Sequence, residues 1–222
     1  MLNSKRLLEI TKFIDEEDFV ADIGADHGKL IIEIANKYKN NKYLAVENKI
    51  GPFNNLKNSV ENYNFNKNIE CSLSDGIEYL PDHINTLVLS GMGGFNVINI
   101  IQKSLKNLKN VKKIIYSVHR NPIELEFFLK SYGYLPIESS AVHEHGQFYN
   151  IVCTKLNKKH AFIQINDQGD VTPKEFDAER FKEILKDKNK MSEWSNLFDS
   201  KIKETQRKLS DTYIRTGFID EN

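Results

Sequence analysis

The sequence predicts an α/β fold, a parallel sheet with helices on both faces, followed by a small C-terminal α-helical coiled-coil domain. Three observations predict it. Short apolar runs alternate with amphipathic stretches through the first two thirds of the chain, and continuous apolar runs mark strands buried on both faces. Several of these runs end in a glycine or an acid, as strand-to-helix turns do. Beyond about residue 170 the apolar residues fall at alternating three- and four-residue steps, the seam of a coiled coil. The boundary implied is 1–160 for the α/β domain and 161–222 for the helical one.

Taken in order, Ser4 is placed to cap a first helix with Leu7, Leu8, Ile10, Phe13 and Ile14 on its inner face. Phe19 to Gly24 is a buried strand and its turn, and Leu30 to Tyr38 a helix. Tyr43 to Glu47 is a second strand ending in an acid, and Pro52 opens a helix that runs to Tyr63. Ile69 to Leu73 and Thr86 to Ser90 are the next strands, the latter leading through a glycine-rich turn into a helix over Phe95 to Leu105. Lys113 to Val118 is a strand, and Ile123 to Tyr132 a helix stopped by Gly133. Ala141-Val142 and Phe148 to Cys153 form an antiparallel pair about His145-Gly146. Thr172-Pro173-Lys174-Glu175 has capping-box spacing, Phe181, Ile184 and Leu185 mark one helix face, and Met191, Trp194, Phe198, Ile202, Thr205 and Leu209 recur as a coiled-coil seam, which together predict two antiparallel helices.

The bulk composition excludes several classes. The chain has 222 residues, 40% hydrophobic and 28% charged, which suits a buried core and a solvated surface. Lys+Arg and Asp+Glu are 31 each, so net charge announces no nucleic-acid partner. No segment approaches the roughly 18–20 apolar residues of a membrane span. The N-terminus lacks an apolar signal core, so a cytoplasmic location is expected. Cys71 and Cys153 suit neither a disulfide framework nor a zinc site, and the six histidines show no ligand spacing; no metal is expected.

The chemistry concentrates at strand ends. Asp22-Ile23-Gly24-Ala25-Asp26-His27-Gly28 lies where the first strand meets its helix, Glu47 ends the second strand, and Asp75-Gly76 follows the third. Ligands of open α/β sheets bind at these carboxyl ends. A dinucleotide pyrophosphate wants glycines and bare N–H groups, and Asp26 would repel it. A donor carrying a sulfonium and an ammonium group, S-adenosylmethionine (SAM), is served by acids there. Glu47 is placed for ribose hydroxyls and Asp75 for an adenine amino group. Ser90-Gly91-Met92-Gly93-Gly94 follows the fourth strand, where a methyl acceptor would lie, and does not match Gly-x-Gly-x-x-Gly.

Asp22-Ile23-Gly24-Ala25-Asp26-His27, Glu47 followed by Gly51-Pro52, Asp75-Gly76 and Gly91-Met92-Gly93-Gly94, in this order, resemble the TrmK family of bacterial tRNA (adenine-N1)-methyltransferases acting on adenine 22. The Ser4-Lys5-Arg6-Leu7 start, Glu138, Tyr149 and the two-helix C-terminus are also similar. The resemblance implies a Rossmann-like class I SAM methyltransferase sheet, SAM as cofactor, tRNA as partner and a C-terminal domain that helps hold it. With the strand-end reading it implies a cofactor set of Asp22, Gly24, Ala25, Asp26, His27, Glu47, Asn48, Asp75, Gly76, Ser90, Gly91 and Gly93. The implied substrate-binding set is Lys5, Arg6, Lys29, Met92, Gly94, Arg120 and Tyr149. Two positions depart from the family pattern: Ser117-Val118-His119 stands where Gln-Pro-Asn is usual, and Lys29 where an aromatic is usual.

Adenine N1 has a lone pair, so catalysis would be mostly positioning and electrostatics. Asp26, His27 and His119 are the expected catalytic residues, Asp26 in an electrostatic role. Lys103, Lys106, Lys109, Lys112 and Lys113 form a cluster that suits either an RNA backbone or a plain solvated face. A monomer is expected. Two alternatives stay open: a SAM-dependent methyltransferase of a small molecule or protein, and a non-catalytic module that binds SAM or RNA.

Overall fold

The computed structural model describes residues 4–158, 163–165 and 171–173. Seven strands form one sheet: β1 (Val20–Ile23), β2 (Tyr43–Glu47), β3 (Ile69–Leu73), β4 (Thr86–Met92), β5 (Lys113–Val118), β6 (Tyr134–Glu144) and β7 (Gln147–Leu156). Their spatial order is β3-β2-β1-β4-β5-β7-β6. The strands β1 to β5 pair in parallel, and β7 lies antiparallel between β5 and β6. The strand order reverses between β1 and β4, which puts a ligand crevice at their carboxyl ends.

The helices are α1 (Lys5–Lys12), α2 (Lys29–Lys37), α3 (Ile50–Asn62), α4 (Gly94–Lys103) and α5 (Pro122–Ser131), with a 3-10 helix over Leu105–Asn110. Alternating strand residues sort onto two faces. Ile23, Val46, Leu89 and Ile114 pack with Val97, Ile101, Leu125 and Phe128 of α4 and α5. Val20, Ala45, Val88 and Ile115 pack with Ile10, Ile31, Ile34 and Leu56 of α1, α2 and α3. Each fully buried aliphatic side chain contributes about 1.5–3 kcal/mol, so both layers hold the strand ends in place.

Ser4 caps α1 as its residue type suggests, its hydroxyl accepting from the Leu7 N–H at 3.3 Å. Leu8 is corrected: it is exposed, because α1 buries only the stripe through Ile10. α3 starts two residues before Pro52, and the helix after β4 ends at Lys103 and gives way to the 3-10 turn. The closing hairpin is longer than the sequence indicates, with β6 bulged between Pro136 and Glu138.

Lys113 does not belong to an RNA face. It sits at the opposite end of the sheet, its side chain only 11% exposed, with Nζ 2.8 Å from Asp15 Oδ2 and 2.6 Å from Asp18 Oδ2. Asp18 also accepts from Thr86 Oγ1 at 2.8 Å, so this ion pair ties the starts of β4 and β5 to the α1–β1 link. Lys109 pairs with Asp82 and Lys103 with Asp75, which further reduces the cluster as a free basic surface.

Thr172-Pro173 is likewise corrected. Val171–Pro173 is a short strand, β9, paired antiparallel with β8 (Ile163–Ile165), so no helix starts at Thr172. The helices and seam expected beyond it lie outside the described residues. No described helix is long and apolar enough to cross a membrane.

Candidate active site

The turn after β1 is shaped by backbone conformation. Gly24 has φ +79°, a left-handed value that favours glycine. A Cβ there would meet Met92 Cε at 3.0 Å, so the last residue of β4 closes over the turn. The N–H groups of Gly24 and Ala25 both donate to the Val46 carbonyl at 2.9 Å, which draws the turn against the end of β2. Asp26 follows at φ +50° with its side chain 65% exposed. His27 Nε2 lies 3.6 Å from Asp26 Oδ1. Lys29 is exposed at the first position of α2.

Glu47 is the fixed acid of the site. It is buried; its Oε2 accepts from the Asp26 N–H at 3.1 Å, and its Oε1 from the N–H groups of Asn48 and Lys49 at 3.0 Å each. An ionised carboxylate has about four acceptor sites. Three are in use, so two ribose hydroxyls would share what remains or displace an N–H. Asp22, buried beside it at the end of β1, has its carboxyl pushed up to about 7, first by burial and then by the Glu47 charge. Two neighbouring buried acids are unfavourable when both are ionised, and a cation relieves the strain.

Asp75 lies at the rim. Its carboxylate accepts from Lys103 Nζ at 2.8 Å and Asn48 Nδ2 at 3.3 Å, and the Lys103 bond foremost holds its pKa below the usual range. An adenine amino group would therefore meet an acid already in use. Gly76, next in the chain, is buried against Ile100 of α4.

The far side is assembled from distant segments. β4 pairs Ser90 with Ser117 and Met92 with Val118, and Gly91 bulges between them at φ +79°. The hydroxyls of Ser90 and Ser117 are buried there and have no partner among the described residues. Arg6 of α1 lies over the Tyr149 ring, with Cζ 5.0 Å from its centroid, and Tyr149 meets His119 edge-on at 5.2 Å. Gly93 caps α4, and the Gly94 N–H donates to the Arg120 carbonyl at 2.7 Å, which joins the β4–α4 turn to the β5–α5 turn. Lys5 is exposed, with its N–H on Glu144 Oε1 at 2.7 Å.

Thus the structure brings most of the expected residues to the carboxyl ends of the parallel strands, in two groups. Asp22, Gly24, Ala25, Asp26, His27, Glu47, Asn48 and Asp75 line the ends of β1 to β3. Arg6, Ser90, Gly91, Met92, His119 and Tyr149 gather about the end of β4. Sequence reading missed Ser117 as an unpartnered hydroxyl and Glu144 as the anchor of α1. Ser117 is legible only through its register with Ser90, and nothing local marks Glu144. No group of three or more metal-type side chains occurs among the described residues.

The residues fit SAM. A glycine cradle, two buried acids and no cation among the described residues paired directly with either suit a positively charged nucleoside more than a pyrophosphate. A parallel sheet closed by an antiparallel hairpin, with acids at the ends of β1, β2 and β3, defines a Rossmann-like protein of the methyltransferase class. The chain belongs to the methyltransferase domain family, whose model matches residues 3–152. It is 25% identical over 159 residues to the tRNA (adenine(22)-N(1))-methyltransferase of Bacillus subtilis (strain 168), spanning 71% of this chain and 67% of that protein. The crystal structure of the B. subtilis m1A22 tRNA methyltransferase TrmK superposes with a TM-score of 0.67 at 20% identity, covering 96% of this chain and 95% of that one. M. capricolum TrmK in complex with S-adenosyl-homocysteine gives 0.65 at 20% identity, covering 97% and 98%.

Proposed function

We propose that this protein transfers a methyl group from SAM to N1 of an adenine in tRNA, adenine 22 by its similarity to the Bacillus subtilis enzyme. The observation that carries the reading is the buried Asp22–Glu47 pair beside the Gly24 turn, an acidic seat at the carboxyl end of the sheet. Gly24, Asp22, Glu47 and Asn48 would hold the donor, with Asp75 at its adenine end. When bound, SAM supplies a methyl group made electrophilic by its sulfonium.

The chain's own residues position and stabilise. Methylation at N1 leaves the adenine cationic, and the Asp26 carboxylate beside the donor seat offsets that charge. His27, 3.6 Å away, borders the same carboxylate. Tyr149 and His119 form an aromatic wall on the acceptor side. An N1 edge engaged in base pairing must leave its stack to reach this site. The reading is of a monomeric cytoplasmic enzyme in which residues 161–222 help grip the RNA.

The test is direct. Purified protein is incubated with SAM and bulk tRNA, and the tRNA is digested to nucleosides. The expected product is 1-methyladenosine, lost in Asp26→Ala while the fold stays intact. Methyl transfer to protein or to metabolites, with none to tRNA, overturns the substrate; the neutral net charge favours that second reading.

A further inference from the structure

The cation nearest the Gly91 bulge carries an unmet hydrogen-bonding group. Arg6 Nε is buried and has no partner among the described residues. A Cβ on Gly91 would lie 3.5 Å from Arg6 Nη1 and 3.7 Å from Nη2, ordinary contact distances, so the guanidinium lies directly against the bulge. One side of the group is backed by Tyr149, itself braced edge-on by His119. The start of α1 is tied down as well: Glu144, near the tip of the β6–β7 hairpin, accepts from Ser4 Oγ at 2.9 Å and the Lys5 N–H at 2.7 Å. Burial works against ionisation of Glu144, yet these donors hold its carboxyl below the usual range. A half-buried guanidinium on a helix start held in place, with its hydrogen-bonding capacity not met within the described residues, is set to receive an acceptor from outside the chain.

We propose that Arg6 binds a backbone phosphate of the nucleotide that carries the methyl acceptor. The proposal rests on the reading of tRNA as substrate. The choice of phosphate over base follows from charge. Arg is cationic at every working pH, and methylation at N1 turns the adenine into a cation. A fixed positive group against the base would therefore oppose the reaction. A phosphate is attracted instead, and its geometry matches the guanidinium fork. The nucleotide turned into the site brings its flanking phosphates with it.

The test compares wild type with Arg6→Gln, Arg6→Lys and Tyr149→Ala. tRNA affinity is measured from about 50 to 200 mM salt, and SAM affinity by calorimetry. Arg6→Gln is expected to weaken tRNA binding about tenfold and to reduce the salt slope by about 0.7–0.9, the loss of one phosphate contact. SAM affinity should be unchanged, which also verifies folding. Arg6→Lys should restore the slope but not the full affinity. Tyr149→Ala should weaken binding with the slope retained, because the charge remains. An unchanged slope in Arg6→Gln, with kcat reduced, would place Arg6 on the base and overturn the proposal. Wild-type methylation of tRNA with that unchanged slope sinks this proposal alone; absence of wild-type methylation and tRNA binding sinks the functional reading and this one with it.

Discussion

The two sides of the proposed site, the one assigned to the donor and the one assigned to the acceptor, are built in opposite ways. At the ends of β1 and β2, the Asp26 N–H reaches Glu47 across 21 positions, and the turn is made by neighbouring backbone groups. On the other side Ser4 reaches Glu144 across 140 positions, and Arg6, Gly91, His119 and Tyr149 meet only because α1 and the hairpin pack on one sheet. The donor side is acidic and rich in backbone bonds. The acceptor side is cationic and aromatic, with unpartnered polar atoms at Arg6, Ser90 and Ser117. A donor nucleoside presents the same chemistry each time, so a short local motif serves it. A macromolecular substrate is met by whatever surfaces the fold brings beside that motif.

The hardest blow to the contrast is Gly94→Ala. The added Cβ would lie 2.2 Å from the Asn121 carbonyl oxygen, in backbone that cannot yield like a side chain. A loss of about 3 kcal/mol or more is expected, read by urea unfolding, whereas Gly51→Ala, whose Cβ meets nothing within 4 Å, should be neutral or slightly stabilising. A near-normal Gly94→Ala would mean the two turns are not rigidly coupled.

Next in size, Glu47→Ala removes three backbone partners and should weaken SAM by about 10- to 100-fold, since hydrogen bonds to charged groups are worth about 1.5–3 kcal/mol. Its tRNA salt slope should not change. With Arg6→Gln it makes a crossed pair: each variant harms one ligand and spares the other. Equal damage to both ligands by either variant would erase the division.

A smaller effect is set by pH. Asp22 has its pKa raised from 3.8 to about 7 in the folded chain, so the folded state holds this proton more tightly than the unfolded state. Its contribution to unliganded stability therefore falls as pH rises from about 4 to about 7, then levels off. A cationic donor favours the ionised form, so SAM affinity should rise through the same upper limit and be accompanied by proton release. Calorimetry in buffers of different ionisation enthalpy reads this directly. Asp22→Asn should abolish the proton release. The smallest effect is expected from Lys103→Ala, an exposed ion pair at the rim, with SAM affinity altered by less than about threefold.

Much of the donor side was legible because its signals are local. The Gly24 turn, the acid at Glu47 and Asp75-Gly76 each sit at the end of an apolar run that marks a strand. The parallel pairing of β1 to β5, though not their order, followed from the same alternation. Lys113 was misplaced because a lysine in a basic run looks solvated, and only the packing of α1 shows Asp15 and Asp18 waiting for it. Leu8 failed for a related reason: one apolar residue beside a helix stripe does not say how wide the covered stripe is. Thr172-Pro173 matched a helix cap by spacing, but backbone pairing with Ile163–Ile165 took precedence over that local preference.

By itself the sequence determined the strand–helix alternation, the sharp turn at Gly24 and the acidic character of the strand ends, since periodicity, left-handed glycine and carboxylate charge are properties of neighbouring residues. Only the tertiary structure decided that Arg6 lies on Tyr149, that Ser90 faces Ser117 and that Glu47 has most of its lone pairs in use. Those outcomes depend on strand register and on helix packing across the sheet, where a shift of one residue would turn each side chain to the opposite face.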